Sequence, residues 1–408
     1  MSSEPRIPVL YIGWSGEAAD ALARNGSDTT FVVTAADAGA AVAHPGSARV
    51  VVVPDPERAD DVVAGLLRAS IDVRGYERVC TEHEQAIVPA AVIAEAYGRP
   101  GLSVRTAVAV RDKFVQKGLI RDAGLPVARC WTVDRADDLD AHSAPFVVKP
   151  FNGAGTQHTY AVRDPASLER VVRTITATGQ IGPWLVEEFV TGSELHIDGV
   201  VRDGAVRFLA VSRYLSNVID LQSGGLVGSV VVEPDADPEL YRRARQLTSA
   251  SLEALGHTDG VFHLEAFDDG DVLTFSECAG RIAGGLLWEA AIMKFGVDLY
   301  DEWARAVLGL PCGITADPRQ GNGTYGWIHL SAGPGQVRAI PTSDELLARP
   351  GVVKAQVSLK PGDTVPDTSA ASHIRVARVL MSGDTEESVA GELRTFARWF
   401  RDQVRVAA

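Results

Sequence analysis

The chain has 408 residues, 46% of them hydrophobic and 23% charged, a composition that fits two or three folded domains and excludes disorder and collagen-like repeats. Its 39 basic and 53 acidic residues leave a net charge of −14. An anion this strong repels nucleic acid and acidic membranes unless a basic run intervenes, and the sequence has none.

Cys80, Cys130, Cys278 and Cys312 lie far apart, without the spacing of a zinc site or a disulfide framework, which fits a reducing cytosol. No apolar run reaches the roughly 18–20 residues of a membrane helix, and Val9–Gly13 is too brief for a signal-peptide core. A soluble, cytoplasmic protein is expected.

The first hundred residues alternate strands and helices. Val9–Ile12, Phe31–Val33, Val50–Val53 and Arg78–Thr81 read as short strands; Glu17–Arg24, Asp60–Ala69 and Gln85–Tyr97 read as helices. Alternation of this kind predicts a parallel, doubly wound sheet. The turn Gly13-Trp14-Ser15-Gly16 lacks the glycine spacing of a dinucleotide fingerprint, and no acidic residue closes the second strand, so a Rossmann-like structural domain is expected rather than NAD binding.

From Arg111 the pattern changes. A helix over Arg111–Ala123 is followed by antiparallel signals: a strand Phe146–Lys149, a glycine loop, a strand Thr159–Val162, a helix Pro165–Thr178 and a strand Trp184–Val190. Asp203-Gly204 and Asp269-Gly270 read as tight hairpin turns. Helices are expected at Pro238–Leu255, Leu286–Phe295 and Leu299–Leu308. A last helix is expected to be capped by Asp384 and Glu387, with Val389, Leu393, Phe396 and Phe400 as its core stripe.

Three segments can carry chemistry. In Lys149-Pro150-Phe151-Asn152-Gly153-Ala154-Gly155-Thr156 a lysine ends an apolar strand. Gly153 and Gly155 let backbone N–H groups approach phosphate oxygens, and Thr156 adds a hydroxyl. Lysine occurs only six times in the chain, so its place at a glycine loop is suggestive. In Glu187-Glu188-Phe189-Val190, with Glu194 beyond Gly192, an extended segment can present backbone groups and a carboxylate to an adenine edge, and Glu194 can accept from ribose hydroxyls. Glu265 and Glu277 flank the Asp269-Gly270 turn. A two-residue loop puts them on opposite faces, whereas a three-residue loop with Gly270 at positive φ puts both on one face, where paired carboxylates suit Mg²⁺. Arg281, four residues on, can hold a carboxylate or a transferring phosphoryl group. His263 and His196 read first as hydrogen-bonded strand histidines, with a ligand or nucleotide contact as the alternative.

In order, these segments resemble the ATP-grasp ligases, specifically their carboxylate–amine, L-amino acid ligase-like branch. Thr81-Glu82-His83-Glu84 and Gly98-Arg99-Pro100-Gly101 resemble the end of that family's N-terminal domain, and Arg111-Asp112-Lys113 with Gly124-Leu125-Pro126-Val127 the start of its ATP-grasp region. The resemblance implies an α/β fold: a Rossmann-like domain (1–108), an ATP-grasp domain (109–312) with a mobile antiparallel lid over about 128–188, and a mixed C-terminal lobe (313–408). It implies that Lys113, Lys149, Gly153, Gly155, Thr156, Glu187, Glu188, Phe189, Val190 and Glu194 bind ATP, and that Glu265 and Glu277 hold Mg²⁺, with Mn²⁺ as a substitute. Arg281 would be the catalytic and substrate-binding arginine, with Gly284 beside the substrate.

The implied reaction joins a carboxylate, expected to be an amino acid, to an amine through an acyl phosphate. The partners would then be small molecules, with no nucleic acid or membrane and with a homodimer possible. Another nucleophile (ammonia, a thiol, carboxyphosphate) or a non-catalytic nucleotide-binding regulator stays open as an alternative. Ala279 departs from the pattern, since many ATP-grasp enzymes have Asn two residues after the second metal carboxylate.

Overall fold

A computed structural model describes residues 6–151, 153, 158–179, 182–223, 225–314, 321, 323–365 and 375–407. The N-terminal strands are β1 (Ile7–Ile12), β2 (Ser27–Val33), β3 (Ser47–Val52) and β4 (Arg78–Cys80), parallel in the order β3-β2-β1-β4. Val9–Ile12 is wholly buried because helices cover both faces of the sheet: Leu10 and Ile12 pack with Val62 and Ile93, Val9 and Tyr11 with Leu22 and Trp303. The helices of this region are α1 (Gly16–Arg24), α2 (Ala38–Ala43), α3 (Ala59–Arg68) and α4 (Ile87–Ala96). Helix α2 was not legible in the sequence: it is six Ala, Gly and Val residues with one buried member, Ala41, so it has no apolar stripe.

Helices α5 (Val104–Ala109) and α6 (Lys113–Asp122) lead into the second region. Asp112 caps α6, accepting from the N–H groups of Phe114 and Val115. This helix buries polar residues: Gln116 donates to the carbonyls of Ala109 and Cys278 and accepts from the Cys278 N–H, which stitches α6 to a strand 162 residues away. The strands β5 (Cys130–Val133), β6 (Phe146–Pro150), β7 (Tyr160–Val162) and β8 (Trp184–Glu188) form an antiparallel sheet in the order β5-β8-β6-β7. With α7 (Pro165–Thr178) this sheet has its own core of Phe146, Val148, Val171, Ile175, Trp184 and Val186.

The central sheet starts with β9 (Ser193–Arg202), β10 (Ala205–Tyr214) and β11 (Gly228–Val231). After α8 (Pro238–Leu255) come β12 (Gly260–Asp268) and β13 (Leu273–Ala279), then α9 (Leu287–Phe295) and α10 (Leu299–Leu308). The chain closes with β14 (Thr324–Leu330), β15 (Gly335–Ala339), α11 (Ser343–Leu347), β16 (Val352–Val357), β17 (Thr364–Val365), β18 (Ala377–Gly383), α12 (Glu386–Gln403) and β19 (Arg405–Ala407). Eight of these strands form one sheet, β13-β12-β9-β10-β11-β14-β18-β16, so the C-terminal strands extend the central sheet across residue 312. The Asp203-Gly204 turn is the two-residue loop expected, with φ of 53° and 73°.

Two expectations need correction. Helix α12 is capped by Thr385 with Ser388, not by Asp384 with Glu387; the Thr385 hydroxyl accepts from the Ser388 N–H, and the helix starts at Glu386. Its core stripe of Val389, Leu393, Phe396 and Phe400 is buried as expected. The loop joining β12 to β13 holds four residues, 269–272, with the Asp269 carboxylate accepting from the Asp271 and Val272 N–H groups. That loop pairs Phe267 with Thr274, a register that would set Glu265 and Glu277 on opposite faces. A bulge between Glu265 and Ala266 shifts the pairing by one residue and makes Glu265 and Glu277 direct partners on one face. The shared face was expected; a bulge, not a three-residue loop, creates it. Gly270 does have positive φ, at 101°.

Candidate active site

A cleft of about 660 Å³ opens where the four-stranded sheet, the floor strands β12 and β13, the N-terminal domain and the C-terminal strands meet. Of the expected site residues, Lys113, Lys149, Gly153, Glu187, Glu188, Phe189, Val190, Glu194, Glu265, Glu277, Arg281 and Gly284 all line it. Gly155 and Thr156 lie outside the described residues.

Lys113 starts α6 and Lys149 lies near the end of β6, so a helix start and a strand end bring two ammonium groups to one carboxylate. Lys113 Nζ is 2.8 Å from Glu277 Oε2 and donates to the Gly153 carbonyl at 3.2 Å; Lys149 Nζ is 4.0 Å from the same Glu277 oxygen. Burial opposes charge on Glu277, yet Lys113 and Lys149 outweigh it and hold the carboxyl well below its usual range. Lys149 is held above its ordinary value: burial pulls it down, but Glu187 and Glu277 prevail.

The Glu187 side chain faces lysines. Its oxygens lie 2.8 Å from Lys149 Nζ and 3.2 Å from Lys117 Nζ, and Lys117 also donates to the Ser276 carbonyl at 2.7 Å. Lys117 is 1% exposed, and its burial pushes its pKa down against the pull of Glu187. Sequence reasoning gave Lys117 no role, although a signal existed: it follows Lys113 by four residues on one helix, so both ammonium groups share a face. Phe189 and Val190 continue past β8, with the Arg163 guanidinium 4.6 Å from the Phe189 ring centroid, while Glu188 pairs with the exposed Arg129.

Glu194 is buried at the start of β9. Its carboxylate accepts from the Val218 N–H at 2.6 Å, and burial together with Glu265 raises its pKa to about 8. Glu265 Oε1 accepts from the Tyr214 hydroxyl at 2.8 Å and stands 3.3 Å from His263 Nε2. Beneath it, Asp198 joins two rings: Oδ1 is 2.8 Å from His263 Nδ1 and Oδ2 is 2.5 Å from His196 Nδ1, while His196 Nε2 meets Ser229 Oγ at 2.7 Å. Burial lowers the His263 pKa, but Asp198 and Glu265 raise it to about 10. Both histidines are hydrogen-bonded to Asp198, and His263 also turns Nε2 toward Glu265. Asp198, Tyr214 and Ser229 were not found, because only strand register brings them under Glu265.

Arg281 sits where β13 gives way to a glycine-rich turn. Its Nε donates to Glu84 at 2.6 Å and its Nη1 to the Ile282 carbonyl at 3.0 Å. Glu84 also lies 3.5 Å from Arg111. Glu82 faces the same space, receives the Tyr300 hydroxyl at 3.3 Å, and has its pKa raised to about 7 by burial, against the opposing pull of Arg281. Gly285 has φ of 87°, and a Cβ there would stand 2.8 Å from the Trp327 ring. Trp327, His329 and Arg375 of the C-terminal region complete the wall. The sequence carried no motif for these three.

Two families match the chain: the ATP-grasp domain over residues 118–285, and L-amino acid ligase C-terminal domain 2 over residues 328–407. Residues 118–285 are thus an ATP-grasp domain. The chain is 24% identical, over 340 residues and 80% of each chain, to the L-arginine-specific L-amino acid ligase of Bacillus subtilis. It is 27% identical to the formate-dependent phosphoribosylglycinamide formyltransferase of Variovorax paradoxus, over 76% of this chain and 77% of that one. Its fold matches the crystal structure of L-amino acid ligase from Bacillus licheniformis with a TM-score of 0.80, at 20% identity over 99% of each chain. Among the described residues, no helix is long and apolar enough to cross a membrane.

Proposed function

We propose that this ATP-grasp ligase joins an amino acid carboxylate to an amine, with ATP cleaved to ADP and phosphate. The observation that carries the reading is the convergence in one cleft of Lys113, Lys149, the paired carboxylates Glu265 and Glu277, and Arg281. Phosphoryl transfer needs positioning and charge neutralisation more than a protein nucleophile, and this set supplies both. The match of residues 328–407 to an L-amino acid ligase domain favours an amino acid over formate or bicarbonate as the acid.

In this reading Lys113 and Lys149 hold the phosphates, and the segment 187–190 and Glu194 hold the nucleoside. Lys117 orients Glu187, which in turn fixes Lys149. Glu265 and Glu277 fit a divalent cation: they are hard oxygen donors on directly paired positions of one face. Such a cation, Mg²⁺ or Mn²⁺, would neutralise phosphate charge. Arg281 holds the substrate carboxylate against the like-charged γ-phosphate, Glu84 fixes the guanidinium, and Gly284 leaves room beside it. The γ-phosphoryl group moves to that carboxylate, an amine attacks the acyl phosphate, and phosphate leaves.

The four cysteines are all free thiols, which supports a cytoplasmic setting. Organisation into 1–108, 109–312 with its lid, and 313–408 is part of the same reading. The test is ADP release across pairs of amino acids, with hydroxylamine as a trap. Hydroxamate formed from one amino acid in the presence of ATP is expected; its absence across all acids tried, with nucleotide still bound, overturns the reading.

A further inference from the structure

We propose that His263 is a third protein donor to the divalent cation, and that it fills the place left by Ala279. This rests on the reading of Glu265 and Glu277 as the metal carboxylates. The argument starts from register. His263 pairs directly with Ala279, as Glu265 pairs with Glu277, so all four side chains leave the β12–β13 ribbon on one face. The methyl group at position 279 offers no donor atom, and His263 is its direct cross-strand partner.

The ring is held as a ligand is held. A metal-binding histidine almost always gives its other ring nitrogen to a carboxylate, which fixes its tautomer and orientation. Here Nδ1 meets Asp198 Oδ1 at 2.8 Å, and the opposite nitrogen, Nε2, points at Glu265 Oε1 from 3.3 Å. Two donors bound at right angles to one cation, with bonds of roughly 2.1 Å, stand about 3 Å apart. The observed separation needs only a small adjustment for both atoms to reach one ion. His196 holds the far side of Asp198 and is itself anchored by Ser229, so the support for the ring is tied down. A cation seated here would replace the direct Nε2–Oε1 contact with a bond to each atom. A nitrogen donor also suits Mn²⁺ better than Mg²⁺, which prefers oxygen.

The test uses Mn²⁺ and ADP with the full-length protein, labelled with ¹⁵N at histidine. Pulsed electron paramagnetic resonance is expected to show a nitrogen coupling that changes from the ¹⁴N to the ¹⁵N pattern on labelling and disappears in His263→Gln. Asp198→Asn is expected to weaken Mn²⁺ binding roughly 10- to 100-fold. If His263→Gln does not fold, His83→Gln and His329→Gln, the other imidazoles on the cleft, must leave the coupling intact; its loss in either overturns the proposal. Mn²⁺ bound in a manner that requires Glu277 but without histidine coupling overturns the proposal and leaves the carboxylate pair standing. Mn²⁺·ADP binding that is indifferent to Glu277→Gln overturns the carboxylate pair itself.

Discussion

Arg281 Nε lies 2.6 Å from Glu84, although the two residues are 197 positions apart. The arginine that faces the floor of the cleft is therefore aimed by the N-terminal domain. That domain carries no nucleotide fingerprint; among its residues on the cleft are two carboxylates, Glu82 and Glu84, just beyond its last strand. The pairing makes the site dependent on how the N-terminal and ATP-grasp regions sit together.

Truncating Arg281 to Ala is expected to lower turnover by roughly 10²–10³, the usual cost of losing a donor aimed at developing charge. Nucleotide affinity should stay within a few fold, because Lys113 and Lys149 do not depend on Arg281. Glu84→Gln keeps the guanidinium but loosens its aim, and a displacement of about 1 Å can cost up to roughly 10²-fold. Steady-state kinetics beside nucleotide titration checks both; near-normal turnover in Arg281→Ala would place the carboxylate elsewhere.

Lys117→Met should destabilise the protein by about 3–5 kcal/mol, since it breaks a buried ion pair and leaves Glu187 with Lys149 alone. The side chains of Lys117 and Glu187 are 1% and 8% exposed, so solvent cannot replace the lost partner. Urea unfolding measures the loss. Recovery in Lys117→Met with Glu187→Gln would show that the stranded charge, rather than lost packing, is the cause.

Gly285→Ala forces a side chain into positive φ and sets a Cβ against the Trp327 ring. A cost of about 1–3 kcal/mol is expected from backbone strain alone. Because Gly285 and Trp327 both line the cleft, KM for the acid should rise more than KM for ATP. Equal changes in both would argue for a general folding defect.

Glu82 gives a pH signature. Its pKa in the folded protein is raised to about 7, above that of an exposed glutamate, by burial. Folding therefore favours its protonated form, and its contribution to stability is full below about pH 4.5 and is lost as pH rises through 7. Glu82→Gln removes that loss. The variant should match the parent near pH 4.5 and exceed it by about 1–3 kcal/mol at pH 8, as read by urea midpoints across pH. A constant difference at all pH values would mean that Glu82 titrates normally.

The sequence by itself determined the elements with strong periodicity and clear ends. The buried run Val9–Ile12 was plain because a parallel sheet covered on both faces needs no polar alternation. Pro238–Leu255 was legible residue for residue, with proline at its start and Gly256 in the left-handed region at its end. Lys149, Glu265, Glu277 and Arg281 were readable as a set because chemistry-bearing residues stood in a familiar order along the chain. Only tertiary structure decided what these groups face. The pairing of Glu265 with Glu277 depends on a bulge, which one extra residue creates and no local composition announces. Glu187 turned out to face Lys117 because a helix and a strand 70 residues apart close on each other. Trp327, His329 and Arg375 entered the cleft because β14 and β18 extend the central sheet. A strand's local sequence sets its side-chain alternation, but the neighbour it pairs with, and the register of that pairing, come from burial of the whole sheet.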